Sequence, residues 1–228
     1  MTEFVRVTDL GIGAHPDDLE IMAAGPIVEC RTSSDRSFGA VVCTDGRRSP
    51  RGGRFAALDD DAVARIRRGE QESAAELGGY AGLVQLGLRS EELLAGVERL
   101  VDALAAILVA ARPVVVYTHE PDDSHATHVA VSRAVIAACR RLEAAARPTR
   151  LVGCEGWRSL DRVPETERAD IEWDADVPRE RAHLAAHASQ VEGGPVDVEA
   201  ELRRRQLRPG RHRTRAVDLS RQAGAGAR

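Results

Sequence analysis

A chain of 228 residues with 43% hydrophobic and 30% charged residues has ordinary globular composition, which excludes disorder from end to end and suits one large domain. Aromatic residues make up only 3%, so the core must come from Val, Leu, Ile and Ala, and a module that stacks nucleobases on aromatic platforms is disfavoured. The net charge of −4 asks for no polyanionic partner, and the absence of Lys removes every mechanism that needs a catalytic lysine, Schiff bases and P-loop phosphate binding included.

Residues 10–14 read as a short buried strand ending at His15, and residues 21–30 carry apolar side chains at helical spacing, so the chain opens as strand, loop, helix. Residues 38–43 form a second buried strand, closed by the turn Thr44-Asp45-Gly46. Residues 47–58, rich in Arg, Gly, Ser and Pro, suggest a mobile surface loop. A helix follows over 59–77, with Asp59, Asp60 and Asp61 at its N-terminus and Gly78-Gly79 as its stop. Residues 83–88 read as a third strand, and 91–111 as one long amphipathic helix packing Leu94, Val97, Val101, Leu104 and Leu108. Pro113 ends that helix, the β-branched run 114–117 suits a fourth strand in a covered parallel sheet, 128–142 is helical, and 151–157 is a fifth strand. Strand and helix alternating over some 150 residues predict an open α/β sheet with right-handed crossovers. Beyond Trp157 the pattern weakens to helices near 178–190 and 198–207. The last 28 residues hold nine Arg against Glu201 and Asp218, which reads as a solvated helix face and a frayed end, or as an anion or subunit contact. Residues 1–220 are expected to form one domain, with 221–228 as a tail.

Two clusters carry chemistry. His15-Pro16-Asp17-Asp18 follows the first strand, and Asp123-Ser124-His125-Ala126-Thr127-His128 follows the fourth, both at carboxyl ends, where open α/β sheets bind ligands. Two loops can therefore bring His15, Asp17, Asp18, His125 and His128 together. Two neutral imidazoles and a carboxylate suit a borderline cation such as Zn²⁺ and leave a position open for water, whose pKa falls toward about 7 on such a cation. A nearby carboxylate can then take the proton. Taken alone, the first cluster is equally a turn with an Asp helix cap, and the second one solvated and one packed histidine. Their paired placement, with four of the seven histidines in or beside them, favours a site.

These residues resemble the LmbE-like, or PIG-L, zinc-dependent N-deacetylases. Residues 14–20 fit that family's Ala-His-Pro-Asp-Asp-x-Glu motif throughout, and Asp123, His125 and His128 fit its second motif. Arg67 to Glu70, with Ala74-Ala75 and Leu77-Gly78, matches a third pattern, and His187-Ala188-Ser189-Gln190 a fourth. The resemblance implies a Rossmann-like three-layer α/β/α fold with a mostly parallel sheet. It implies Zn²⁺, or another divalent transition metal, on His15, Asp18 and His128. It further implies Asp17 as general base, His125 as the group that stabilises the oxyanion and helps the amine leave, and Arg67 and Asp123 on the substrate side. The implied partner is a small N-acetylated molecule, an amino-sugar or a related conjugate, with no nucleic acid and no membrane, and family members often assemble as homo-oligomers. The chain departs from the pattern at Thr127, where the family often has Asp, and at residues 88–92, where the family commonly has an Asp used in sugar recognition. These departures keep two alternatives open: an amidase cleaving a larger acyl or thiol conjugate at the same metal, or a metal-binding module without turnover.

Other features carry blander expectations. Cys30, Cys43, Cys139 and Cys154 are widely spaced, without a CxxC pair, and fit reduced thiols in a cytoplasmic protein. No signal peptide is visible, and the apolar run 100–116 is broken by Asp102, Arg112 and Pro113. His187 reads as a packed histidine or a pocket residue, and Glu20 as a helix-start or supporting carboxylate.

Overall fold

The computed structural model describes residues 5–156, 169–172, 177–192, 196, 211–217 and 219. Seven strands form one sheet: β1 (Asp9–Gly13), β2 (Phe38–Thr44), β3 (Gly82–Leu88), β4 (Val115–His119), β5 (Arg150–Cys154), β6 (Ala169–Glu172) and β7 (Arg211–Ala216), in the order β3-β2-β1-β4-β5-β7-β6. The first five are parallel, and β7 pairs antiparallel with both β5 and β6. The order reverses between β1 and β4. Connections leave these neighbours in opposite directions, and the crevice above their carboxyl ends is where such sheets bind ligands.

Buried alternation builds three layers. Leu10, Ile12, Val41 and Cys43 face one side of the sheet, against Leu100, Leu104 and Leu108 of α5 (Val97–Ala111) and Val131 and Val135 of α6 (Ala126–Arg141). Phe38, Ala40 and Val42 face the other, with Leu19 of α1 (Asp18–Met22) and Ile27 of α2 (Ala24–Thr32). Gly11 is required here, because a Cβ at that position would lie 2.7 Å from the Phe38 ring and 2.8 Å from Leu19. The helix α3 (Asp60–Gly78) is capped by the Asp59 side chain, which accepts from the Ala62 amide at 2.7 Å, and it stops at Gly79 in the left-handed region.

The Rossmann-like, mostly parallel fold matches expectation, with instructive differences. The predicted helix over 91–111 is two helices, α4 (Ser90–Ala95) and α5, separated at Gly96, and Leu94 is 46% exposed instead of packed. The arginine-rich segment after β2 is braced: Arg47 pairs with Asp45 and Asp61, Arg51 with Asp60, Arg48 with Glu91 and Arg54 with Glu192. The C-terminal region contributes α7 (Val177–Ala185) and α8 (Ala188–Val191), then a strand, β7, where a frayed helical tail was expected. The helix expected over 198–207, Trp157, Trp173 and the tail 221–228 lie outside the described residues. All four cysteines are buried and free, and among the described residues no helix is long and apolar enough to cross a membrane.

Candidate active site

The loop after β1 turns sharply at Asp17, whose φ of 99° lies in the left-handed region. For a residue other than Gly such a conformation costs about 1–3 kcal/mol and persists only when its surroundings enforce it. Here the Asp17 amide donates to Gln71 Oε1 at 3.1 Å. The buried Arg67 guanidinium donates to the Pro16 carbonyl, to the Gly46 carbonyl at 3.1 Å, and pairs with Asp17 Oδ2 at 3.0 Å. Gly46 is itself left-handed, and any Cβ there would collide with that guanidinium. Thus α3 and the β2 loop jointly fix the first motif.

The second motif follows β4 and opens α6 at the sheet's switch point. His128 Nε2 lies 3.3 Å from His15 Nδ1 and 3.5 Å from Asp18 Oδ1, and His15 Nδ1 lies 3.3 Å from Asp18 Oδ2. Ligand bonds of about 2.0–2.1 Å in a tetrahedron place neighbouring donor atoms about 3.3–3.4 Å apart, so the two imidazole nitrogens are spaced as ligands of one Zn²⁺-sized cation, and the Asp18 carboxylate faces each of them with a different oxygen. Its orientation is also supported from behind. The His15 amide donates to Asp18 Oδ2 at 2.6 Å, and Asp123 Oδ2 lies 3.1 Å from His128 Nδ1. With the His128 proton on Nδ1 toward Asp123, the Nε2 lone pair faces the cluster, the carboxylate–histidine arrangement common behind metal ligands.

The electrostatics agree. Burial opposes ionisation of Asp18, but His128, His119 and His15 outweigh it and hold the carboxyl well below its usual range. Burial also opposes a charge on His128, yet Asp18 and Asp123 push it up to about 10, so the cluster favours a positive charge. Asp17 behaves differently: burial raises its carboxyl, and Asp18 adds to this against the pull of Arg67. A raised carboxyl is the better proton acceptor. Burial lowers His125, and the neighbouring His128 and His15 lower it further.

These groups lie along a cavity of about 620 Å³. His15, Asp17, Asp18, Arg67, His125 and His128 all line it, so the structure brings six of the seven anticipated residues to one place. Asp123, expected on the substrate side, does not line it. Its side chain is fully buried behind His128, and its other oxygen accepts the His125 amide at 2.8 Å. Burial opposes its charge, but the hydrogen bonds to His128 and to the His125 amide hold it below the usual carboxylate range. Burial, His128 and His15 lower the His125 ring by more than the charges of Asp18 and Asp123 raise it. Thr127 is buried and lines the cavity.

Two supporting groups, His119 and Gln71, were given no role from the sequence. His119 stacks on His128 with ring centroids 3.9 Å apart, accepts the Ala14 amide on Nε2 at 2.9 Å, and lies 3.1 Å from Asp18 Oδ2. Among the described residues two groups of donor atoms lie close enough to share a cation, His15 with His125 and His128, and Asp18 with His119 and His128, although the Ala14 bond already occupies the His119 Nε2 lone pair. Burial and His128 push His119 down to about 4. Gln71, next to the Arg67–Glu70 pattern, links the Asp17 amide to Glu20 Oε1 at 3.0 Å, and Glu20 also accepts from Tyr80 at 2.6 Å and His187 at 3.1 Å. His187 is thus a packed residue of this network. Beside it, Ser189 donates through its amide and its hydroxyl to the two oxygens of Glu70, each at 2.6 Å, so the third and fourth motif patterns clasp one another.

Comparison with known proteins places this geometry. The model of the family described as PIG-L, GlcNAc-PI de-N-acetylase, matches residues 10–139, which hold both motifs. No curated protein matches the chain. Among solved structures, the conserved protein TT1542 from Thermus thermophilus is 24% identical, covering 97% of this chain and 99% of that one with a TM-score of 0.68. N,N'-diacetylchitobiose deacetylase from Pyrococcus horikoshii is 20% identical, covering 93% and 85% with a TM-score of 0.72. The 4-carboxy-2-hydroxymuconate hydratase GalB from Pseudomonas putida is 15% identical, covering 92% and 95% with a TM-score of 0.68. At these identities the likeness establishes a shared fold, which can host more than one reaction. With the family model spanning more than half of its length and both motifs meeting at the switch point of its sheet, the chain belongs to the PIG-L family.

Proposed function

We propose that the protein is a cation-dependent hydrolase that removes an N-acetyl group from an amino-sugar or a related small conjugate. The observation that carries this reading is the convergence of His15, Asp18 and His128 within 3.5 Å of one another, with Asp17 and His125 lining the same cavity. The family description and the Pyrococcus deacetylase support the reaction class. His15, Asp18 and His128 would hold Zn²⁺ or another divalent transition metal. When bound, the cation supplies Lewis-acid polarisation of the amide carbonyl and lowers the pKa of water.

The chain's own groups do the rest. The water oxygen bonds to the acyl carbon while its proton passes to the Asp17 carboxylate, which Arg67 holds in place. The His125 ring hydrogen-bonds the developing oxyanion and gives a proton to the departing nitrogen as the C–N bond breaks. The products are the free amine and acetic acid, which gives its proton to solvent to become acetate, and the proton on Asp17 returns to His125 through solvent. The sheet running from Asp9 to Ala216 supports reading residues 1–220 as one domain.

Elemental analysis and acetate release test this reading. His15→Ala is expected to lose both stoichiometric metal and acetate release. Asp17→Asn is expected to keep the metal and lose about 10²–10⁴ in rate, the usual contribution of a positioned general base. Metal retained in His15→Ala overturns the ligand set. A metal-loaded parent that turns over no amide supports a binding module instead.

A further inference from the structure

Among the described residues, one buried histidine stands apart from the groups around the cavity. His183, on α7, is 1% exposed, and neither its Nδ1 nor its Nε2 has a hydrogen-bond partner. A neutral imidazole carries one donor and one acceptor, and a native interior seldom leaves both unmet. The helix α7 packs against α1, α2 and α3 and runs on into α8. Burial is the largest influence on the ring and opposes a charge there. The Leu77 carbonyl at the end of α3, which acts without forming a hydrogen bond, and the Glu20 carboxylate on α1 favour the charge, whereas Arg179 on α7 and Arg31 on α2 oppose it. The four residues of α8 carry no ionisable side chain. The balance holds His183 below the usual histidine value. A docked ring of this kind is at ease above the ordinary value of about 6.5. It loses docking free energy as the pH falls below that, because the solvated imidazole binds the proton more tightly.

Little apolar surface secures this part of the chain. Leu184 packs with Ile21 of α1 and with Val196, and Val191 joins them, in a cluster separate from the two cores that flank the sheet. The other attachments are polar: His187 to Glu20, Ser189 to Glu70, Gln190 to Ser49 at 3.0 Å and Glu192 to Arg54 at 2.9 Å. The last two reach the segment after β2, and both Gln190 and Ser49 line the cavity. Segments with few buried apolar contacts open locally at a fraction of the global unfolding free energy.

We propose that His183 is an acid-operated release for the α7–α8 segment: when its ring takes a proton, the two helices leave α1, α2 and α3, Gln190 withdraws from the cavity wall, and the segment 47–58 loosens with it. The inference concerns access to the cavity and holds whatever reaction occurs there. The neighbouring His187–Glu20 pair works in the opposite sense. Burial opposes a charge on His187, but Glu20 outweighs it and raises the ring, so its contribution is fully present below about pH 6.5 and is lost only as the pH rises. Acid therefore tightens that pair while it loosens His183.

Amide hydrogen exchange of the full-length protein at about pH 7.5 and 5.5, corrected for the pH dependence of the chemical step, tests this. Peptides spanning 177–192 and 47–58 are expected to lose at least about threefold in protection at the lower pH, while β1 and α6 keep theirs. In His183→Leu, which takes no proton and leaves no ring nitrogen unmet, protection at the higher pH is expected to rise and the loss at the lower pH to disappear. If near-UV circular dichroism shows that His183→Leu does not fold, His183→Gln, neutral at both pH values, takes its place with the same expected absence of a pH effect. Equal protection of the parent at both pH values, a loss shared by β1 and α6, or a loss that persists in the folded variant overturns the release. A loss confined to 177–192, with 47–58 unchanged, overturns its coupling to the cavity.

Discussion

Replacing Glu20 by Ala should be among the most damaging single changes in this protein. The Glu20 side chain is fully buried and accepts from Tyr80 Oη at 2.6 Å, Gln71 Nε2 at 3.0 Å and His187 Nε2 at 3.1 Å. Truncation strands three donors, each worth about 1–3 kcal/mol when left unsatisfied in the interior. Tyr80 is only partly buried and can turn toward water, so about 3–5 kcal/mol is expected in total, a large fraction of the 5–15 kcal/mol typical of a folded domain. Glu20→Gln keeps the shape. Its amide oxygen still accepts from Tyr80 and Gln71, and its NH₂ can donate to a His187 that moves its own proton to Nδ1, which has no partner in the parent. The expected cost is therefore only about 1 kcal/mol, the loss of charge assistance. Urea unfolding at pH 7 with a chelator present, so that bound cation does not shift the midpoint, separates the two variants. A loss below 1 kcal/mol in Glu20→Ala, or equal losses in both variants, would refute the reasoning. Because Gln71 also holds the left-handed Asp17 amide, Glu20→Ala, which frees Gln71, should lower kcat by about tenfold with little change in KM, a displacement of the general base of the kind that positioning effects produce. Glu20→Gln, which keeps the Gln71 bond, should leave kcat near the parent's.

Other outcomes follow from the same geometry. Burial raises the Asp9 carboxyl, but hydrogen bonds from Arg36, Thr8 and Tyr117 outweigh it and the folded value lies below the usual one. Its stabilising contribution is therefore present above about pH 3.9 and is lost as the pH falls through the folded value, so Asp9→Asn should cost about 1–2 kcal/mol at pH 7 and progressively less below pH 4. A parent–variant gap in urea midpoint that stays constant with pH would contradict the assignment. Glu70→Ala should release the Ser189 clasp, cost about 2 kcal/mol, and speed proteolysis within residues 177–192, and an unchanged cleavage rate there would show that the clasp is dispensable. Asp59→Ala should lower stability by about 1 kcal/mol through its lost cap on α3, read from the thermal midpoint, and a midpoint at or above the parent's would count against the cap.

What could be read from the residues and what could not divides along physical lines. The strands β1, β2 and β4 are short apolar runs closed by turn residues, and α3 carries its own start and stop, so local chemistry sufficed. The meeting of the two motifs was also legible, because a parallel sheet puts its loops at one end. By contrast, β7, with the sequence RHRTRA, lacks apolar alternation and is held in the sheet by pairing with β5 and β6, so composition disguised it as tail, and β6, with the sequence ADIE, alternates over only four residues, too few to stand out. Gly96 looked tolerable inside a long periodic run, since one Gly costs only about 1 kcal/mol in a helix, yet it separates α4 from α5 and frees Leu94 for the cavity. The arginines after β2 suggested motion because their carboxylate partners, on Asp60, Asp61, Glu91 and Glu192, are revealed only by tertiary structure. Asp123 was rightly placed near the centre, but no pattern says which side of a histidine a carboxylate will take.

The pairing of Leu10 with Val116 and of Ile12 with Thr118 makes the chemistry and the strand register a single constraint. Each residue advances a strand by about 3.3 Å, which is also the gap between His15 Nδ1 and His128 Nε2. Inserting or deleting one residue in β1 or β4 would thus slide one imidazole a full contact length past the other, even if the sheet healed around the change. Lineages of this protein should accept length variation near Pro50, Glu143 or the C-terminus, where loops absorb it, long before they accept any between Asp9 and His15 or between Val115 and His128.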